Sequence, residues 1–296
     1  MKVALATCAA LADGFSDDQV LAAALREREV ETGFFVWDDP GVDWAAFDLV
    51  VIRSTWDYTR RRDRFVDWAE RVGERLRNPP ALVRWNSEKG YLAELEAAGL
   101  PVPHTEFVGP GDALPELAGE LVVKPTVSAG ARDTGRFAPA AHGGARALVK
   151  RLQGSGRTAM VQPYLDAVDS RGETAIVFIA GEASHVLRKR AVLSPDEEAP
   201  LRDDALGAAK VMWDPDLVQA SDASESELAA AQEVLAFVAE RFGTPLYVRV
   251  DLLEDPSGRP VVLEVEAVEP GLYLPAAPHA AERLAEAIVA EAEAAT

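Results

Sequence analysis

Apolar and polar positions alternate most regularly in two runs late in the chain, YVRVDLL (247–253) and VVLEVEAVEPG (261–271). Side chains on a strand point to alternate faces. Val248, Val250 and Leu252 therefore share one face, and Arg249 and Asp251 the other. In the second run Glu264 and Glu266 point one way together with Val262, and Leu263, Val265 and Ala267 point toward a core. EDPSGRP between the runs has turn chemistry. A hairpin centred between Ser257 and Gly258 sets Asp251 opposite Glu264 and Arg249 opposite Glu266. Cross-strand neighbours lie about 5 Å apart, so three carboxylates and one guanidinium crowd a single face.

The same periodicities divide the rest of the chain. KVALAT, TGFFVW and DLVVIRS read as strands and DDQVLAAALREREV as a helix, an open α/β beginning with strand ends near Cys8 and Arg53-Ser54. RDRFVDWAERVGERL is an amphipathic helix ended by NPP. NSEKGYLAELEAAGLPVP opens a helix capped by Asn86 or Ser87 and closed at Gly99. The pattern then becomes α+β: strand ELVVKP, loop TVSAGARDTGRF, helix GARALVKRLQG, strand AMVQPYL and hairpin ETAIVFIAGEASHVLRKRA. Helix ESELAAAQEVLAFVAERFG, the acidic hairpin and helix AAERLAEAIVAEAEAA complete it. Leu193 to Ser221, rich in acids and prolines, reads as a surface loop. The expected division is a leading α/β unit over 1–85 and two α+β units over 86–169 and 170–296.

Composition narrows the function. A chain of 296 residues is near the limit of a single core. The formal charge of −19 argues against a nucleic-acid partner, which needs a basic face. The lone Cys8 excludes an internal disulfide framework and fits a reducing compartment. No apolar run reaches a membrane span and no signal-peptide pattern opens the chain, so a cytoplasmic protein is expected. GxGxxG is missing after the first strand. His104, His142, His185 and His279 show no motif pairing with a serine or with Cys8, which disfavours a histidine-based hydrolase.

Clustered carboxylates stripped of water need compensation. Arg249 can neutralise one, and a hard cation such as Mg²⁺ can neutralise others. The alternative is a solvated face with surface ion pairs. Lys124 ends a strand before a Ser/Gly loop, where its ammonium and the loop N–H groups around Ser128 and Gly130 could hold phosphate; alternatively it snorkels. RSTWDY at the end of a leading-unit strand places Arg53, Ser54, Thr55, Trp56, Asp57 and Tyr58 as an amino-acid pocket or a packed polar corner.

Taken in order, Lys89 in NSEK, Lys124 in VVKP, the SAGARDTG loop, QPYL, Glu173 in RGETAIVFI, Asp251 in VRVD and Glu264 in LEVE resemble the ATP-grasp family over residues 86–275. The resemblance implies an α/β leading domain followed by a two-subdomain α+β module that holds ATP and Mg²⁺. It implies Lys89, Lys124, Ser128 and Gly130 at the phosphates, Gln162 and Leu165 at the adenine, and Glu173 at the ribose or orienting a lysine. Asp251 and Glu264 would bind metal. Glu266 stands where the family usually has Asn, as a third ligand or as a partner of Arg249. Arg249 would neutralise acyl-phosphate oxygens, and Arg188 or Lys189 would meet the substrate carboxylate. RSTWDY, NPPALVRWNSEK and SHVLRKRA are similar to a subgroup containing O-ureido-D-serine cyclo-ligase, an antibiotic-biosynthesis enzyme. The implied activity is ADP-forming carbon–nitrogen ligation on a small amino-acid-like substrate, within one molecule or between two. A non-catalytic nucleotide-binding regulator is the rival, and a homodimer or homotetramer is left open.

Overall fold

A computed structural model describes residues 1–195, 198–199, 206–214 and 216–294. The leading part runs β1 (Lys2–Thr7), α1 (Ser16–Glu27), β2 (Glu31–Val36), β3 (Leu49–Ile52), α2 (Arg62–Val72) and β4 (Leu76–Arg77). Its sheet is parallel, in the order β2-β1-β3-β4. β1 and β3 are buried on both faces, which is why their sequences are continuous apolar runs. β4 is only two residues long and carries no periodicity a sequence could show.

α3 (Pro80–Asn86) and α4 (Tyr91–Ala97) follow. The single helix expected from Asn86 is thus broken in two, and Asn86 ends the first piece instead of capping the second. The reason is tertiary: Asn86 donates to Val265 O and accepts from Ala267 N, at 2.8 and 2.7 Å. Next come β5 (Glu106–Val108), β6 (Leu121–Pro125), β7 (Gly135–Phe137), α5 (His142–Gly154) and β8 (Ala159–Pro163), with an antiparallel sheet in the order β5-β8-β6-β7.

The third part contains α6 (Ala167–Arg171), β9 (Glu173–Ile179), β10 (Glu182–Lys189), β11 (Val218–Ser221), α7 (Glu225–Phe242), β12 (Tyr247–Glu254), β13 (Pro260–Glu266) and α8 (Ala280–Ala294). Its antiparallel sheet has the order β11-β10-β9-β12-β13. α7 is capped by Ser224 and Glu227, which satisfy each other's backbone N–H groups. One face of the sheet shares a core with the leading sheet and α8, through Leu5, Leu21, Val177 and Leu284. The other face packs on α7 and α4 through Val234, Val250 and Leu95. The β5–β8 sheet packs on α5 around Val123, Phe137 and Leu148, a core of its own.

In the β12–β13 hairpin, Arg249 faces Glu266 and Asp251 faces Glu264, as the alternation predicts. A bulge then shifts the register, so that Leu252 faces Val262. The turn centres on Ser257, not between Ser257 and Gly258, and the Asp255 carboxylate accepts from Ser257 N at 2.8 Å. An extra residue resets the alternation. Val262 therefore joins Val265 in the core, and Leu263 packs with Leu165 and Val261, the reverse of the expected faces.

Candidate active site

The three sheets enclose a chamber of about 310 Å³, a small-molecule volume. Three lysines enter it. Lys89 lies between α3 and α4; its backbone N–H donates to Thr126 O and its ammonium to Ser128 O, at 2.8 and 2.9 Å. Lys124 comes from β6 and Lys189 from the end of β10. Gly172 (φ +75°) permits that last approach, because a Cβ there would lie 2.4 Å from Lys189 O. All three side chains are nearly buried.

The carboxylates are already matched to cations. Asp251 takes Arg249 Nε and Nη2 at 2.8 and 2.9 Å and Lys189 Nζ at 2.6 Å. Burial raises its acid range, but Arg249 and Lys189 outweigh that and hold it well below the usual carboxylate range. Glu264 Oε1 lies 2.8 Å from Lys89 Nζ, Glu266 pairs with Arg249, and Glu173 lies 2.7 Å from Lys189 Nζ. Burial pushes Glu266 up to about 7; Arg249 opposes that only in part, and Glu264 and Asp251 add to it. Lys124 has no carboxylate partner among the described residues, and burial lowers its affinity for a proton.

The fit to Mg²⁺ follows from this donor set. Among the described residues no three Asp, Glu, His or Cys side chains converge closely enough to hold an ion. The expected trio of Asp251, Glu264 and Glu266 is not gathered into one cluster among the described residues. Asp251 is absent from the chamber wall, with both oxygens engaged by Arg249 and Lys189. Glu264 and Glu266 do line the chamber. Two carboxylates completed by phosphate oxygens suit Mg²⁺.

The other sequence-selected residues divide cleanly. Ser128, Gly130, Gln162, Leu165 and Glu173 line the chamber. Gly130 (φ +61°) is required there, since a Cβ would meet Ala208 Cβ at 2.7 Å, and its carbonyl accepts from Ala209 N at 2.7 Å. Arg188 does not line it: alternation along β10 turns it to the opposite face, toward Thr174 and Glu227. Of RSTWDY, only Trp56 and Tyr58 reach the chamber. Arg53 is buried against Asp18, 2.9 Å away, and Ser54 donates to the same carboxylate. Thr55 is buried, with no partner for its hydroxyl among the described residues. Asp57 accepts from Trp37 Nε1 at 2.8 Å and pairs with Arg61.

The segment expected as a surface loop, 193–221, behaves otherwise where it is described. Ala208, Met212 and Trp213 roof the chamber, and Val218–Ser221 form β11. Residues 196–197, 200–205 and 215 of that segment lie outside the described residues. Trp213, Phe15 and Trp56 meet edge to face, with centroids 5.1 to 6.4 Å apart.

A family model described as the N-terminal domain of D-cycloserine synthetase DcsG matches residues 3–78. The cycloserine biosynthesis protein DcsG of Streptomyces lavendulae is 39% identical over 267 residues, 85% of this chain and 86% of that protein. The chain belongs to the DcsG family of ATP-grasp ligases. A crystal structure of D-cycloserine synthetase DcsG superposes over the whole of both chains with a TM-score of 0.87 at 35% identity. The ATP-grasp ligase PsnB, solved with minimal precursor, Mg and ADP, shares the fold at 19% identity and a TM-score of 0.60, over 98% of this chain and 97% of that one. This ATP-grasp protein is thus an ATP-dependent carbon–nitrogen ligase, and ATP and Mg²⁺ are general features of its family. Among the described residues no helix is long and apolar enough to cross a membrane.

Several chamber residues of this ATP-grasp ligase escaped the sequence reading: Phe15, Asp17, Trp213, Glu269 and Tyr273. Asp17 accepts from Tyr273 N and Leu274 N at 2.6 and 2.7 Å, tying the start of α1 to the segment after β13. An acid at a helix start reads as a dipole partner, which hides such a role. Glu269 had a usable signal, a third acid two residues before a glycine. Burial and then Glu266 push it up to about 8.

Proposed function

We propose that this ligase closes a ring on a single amino-acid-like substrate of the O-ureido-D-serine type, giving a D-cycloserine-type product. One chamber carries the reading: it joins the lysine-lined end, including Lys124, which has no ion pair among the described residues, to the pocket of Phe15, Trp56, Tyr58 and Trp213. A substrate carboxylate beside Arg249 and Lys189 and an ATP phosphate beside Lys89 and Lys124 would share it. The carboxylate oxygen attacks the γ-phosphorus, the bond to ADP breaks, and an acyl phosphate forms. Arg249 and the lysines stabilise the charge that develops. The substrate's own nitrogen then attacks the carbonyl carbon, loses its proton and expels phosphate, and water removes the carbamoyl group from that nitrogen as carbon dioxide and ammonia; proximity favours this over capture by a second molecule. Glu264 and Glu266 would hold Mg²⁺, which neutralises phosphate charge when bound.

The test is ADP release with O-ureido-D-serine, other O-substituted serines and pairs of amino acids, with product masses measured. A cyclic product from one substrate is expected. Dipeptide masses would replace ring closure by intermolecular ligation, and no stimulation by any carboxylate would favour a non-catalytic nucleotide binder.

A further inference from the structure

After β13 the chain is held by an unusual set of bonds. Six consecutive carbonyls, Ala267 to Leu272, each accept from a side chain of another segment. The donors are Asn78 Nδ2 (2.8 Å), Tyr247 OH (3.0 Å), Trp56 Nε1 (3.0 Å), Arg53 Nη2 (3.0 Å), Arg249 Nη1 (2.7 Å) and His185 Nε2 (2.7 Å). Donors that follow β3 and β4 of the leading sheet, and donors on β10 and β12 of the five-stranded sheet, thus fix a segment with no regular structure. Such fixation is what positioning a functional side chain requires. The side chain so placed is Glu269.

Five acids line the chamber: Asp17, Glu173, Glu264, Glu266 and Glu269. Asp17 takes two backbone N–H groups, and Glu173, Glu264 and Glu266 take Lys189, Lys89 and Arg249. Asp17 and Glu269 have no ion-pair partner among the described residues; Lys89 acts on Glu269 from a distance, and the Tyr58 hydroxyl lies beside it. The Trp56 ring that grips its carbonyl belongs to the aromatic wall with Phe15 and Trp213. A carboxylate beside aromatic rings is a site for an organic cation. Arg249 grips the same segment at Gly271, so a group for a carboxylate and a group for an ammonium are fixed to one short stretch.

We propose that Glu269, assisted by Tyr58, binds the α-ammonium group of the amino-acid substrate and makes the enzyme select for amino acids. This rests on the proposed function and adds the residue that reads the amine. Burial and Glu266 hold Glu269 partly protonated, and an ammonium is the partner that would keep it ionised.

The experiment compares kcat/KM for O-ureido-D-serine and for its analogue without the α-amino group, 3-(ureidooxy)propanoate, in wild type, Glu269→Gln and Tyr58→Phe. Wild type should prefer the amine by roughly 10²-fold, the size of a charged hydrogen bond. Glu269→Gln should erase most of that preference through KM for the amine, leaving KM for ATP unchanged, and Tyr58→Phe should erode it in part. Should Glu269→Gln not fold, Glu269→Asp, which withdraws the charge by one methylene, should still narrow the preference. A preference intact in these variants, or absent in wild type, overturns the assignment while ring closure stands. An intact preference with a raised Mg²⁺ requirement would make Glu269 a metal ligand instead. ADP release with other carboxylates but with neither compound removes the substrate reading and this assignment together.

Discussion

Lys89 Nζ lies 2.8 Å from Glu264 Oε1, which ties the cation proposed for phosphate to the carboxylate proposed for metal. Burial works against the Glu264 charge, but Lys89 and Lys124 more than offset it and keep Glu264 below the usual carboxylate range. Glu266, two residues on, is raised to about 7. Glu264→Gln and Glu266→Gln should therefore move stability in opposite directions above pH 7. The first strands Lys89, and the second removes a repelled charge. Glu264→Gln should also lower turnover by roughly 10²–10³. Thermal melts and ADP release on both variants check this; near-normal turnover in Glu264→Gln would sink the metal role.

Lys124 is buried with no ion pair among the described residues, and the attraction of Glu264 does not make up for its lost hydration, so its charge opposes folding until an anion arrives. Lys124→Met, similar in shape and uncharged, should fold at least as stably as wild type. It should bind ATP roughly tenfold or more weakly, for the loss of a charge-assisted contact. Calorimetry that finds unchanged ATP affinity in a folded variant removes Lys124 from the nucleotide site.

Arg188 and Lys189 are adjacent in sequence and opposite in space. Arg188→Met should leave KM nearly unchanged and lower the melting temperature, because Glu227 and Thr174 each lose one partner. Lys189→Met uncovers one side of Asp251 and should cost most of the turnover. Equal kinetic defects in the two variants would contradict the division of faces.

Glu269 titrates near 8 in the folded chain and near the ordinary 4.5 when unfolded. Between those values the unfolded chain has released a proton that the folded chain retains, so this group makes stability fall as pH rises, with no further loss above about 8. His185, lowered by burial, contributes with the opposite sign near and below pH 6.5. Subtracting the Glu269→Gln profile cancels His185 and leaves the Glu269 titration together with its coupling to Glu266. The stability of wild type relative to the variant should then fall from pH 5 to pH 8 by a few kcal/mol, since one pKa unit is worth about 1.4 kcal/mol. A flat difference in denaturant titrations would show that Glu269 is not so perturbed.

What was legible in the sequence was whatever repeats along the chain. The alternation in YVRVDLL and VVLEVE placed Arg249 opposite Glu266 and Asp251 opposite Glu264, and the order of the lysines carried the family. What was lost depended on distant partners. Asn86 looked like a helix cap because its partners, Val265 and Ala267, are remote in sequence. The bulge beside Leu252 has no compositional mark, so the faces of Val262 and Leu263 came out reversed. RSTWDY was read as a set, whereas the chain bends there, sending Trp56 and Tyr58 to the chamber and Arg53 to the carbonyl of Pro270.

Leu5 and Leu21 share one core with Val177 and Leu284, while Val123, Phe137 and Leu148 have a core apart. Among the described residues the β5-β8-β6-β7 sheet joins the core around Leu95 and Val250 only through Met160 and Phe107, so a hinge beside that sheet parts little of it. Opening for nucleotide exchange should therefore swing Lys124 and Gln162 away as one body. Hydrogen exchange should slow in β6 and β7 on adding ADP and Mg²⁺, and stay unchanged in β12; equal slowing in both would mean that the whole molecule tightens. Trp56, Tyr58 and Glu269 belong to the stationary side. The amino-acid pocket then keeps its shape through every cycle of opening, and a wrong substrate is refused before the jaw shuts.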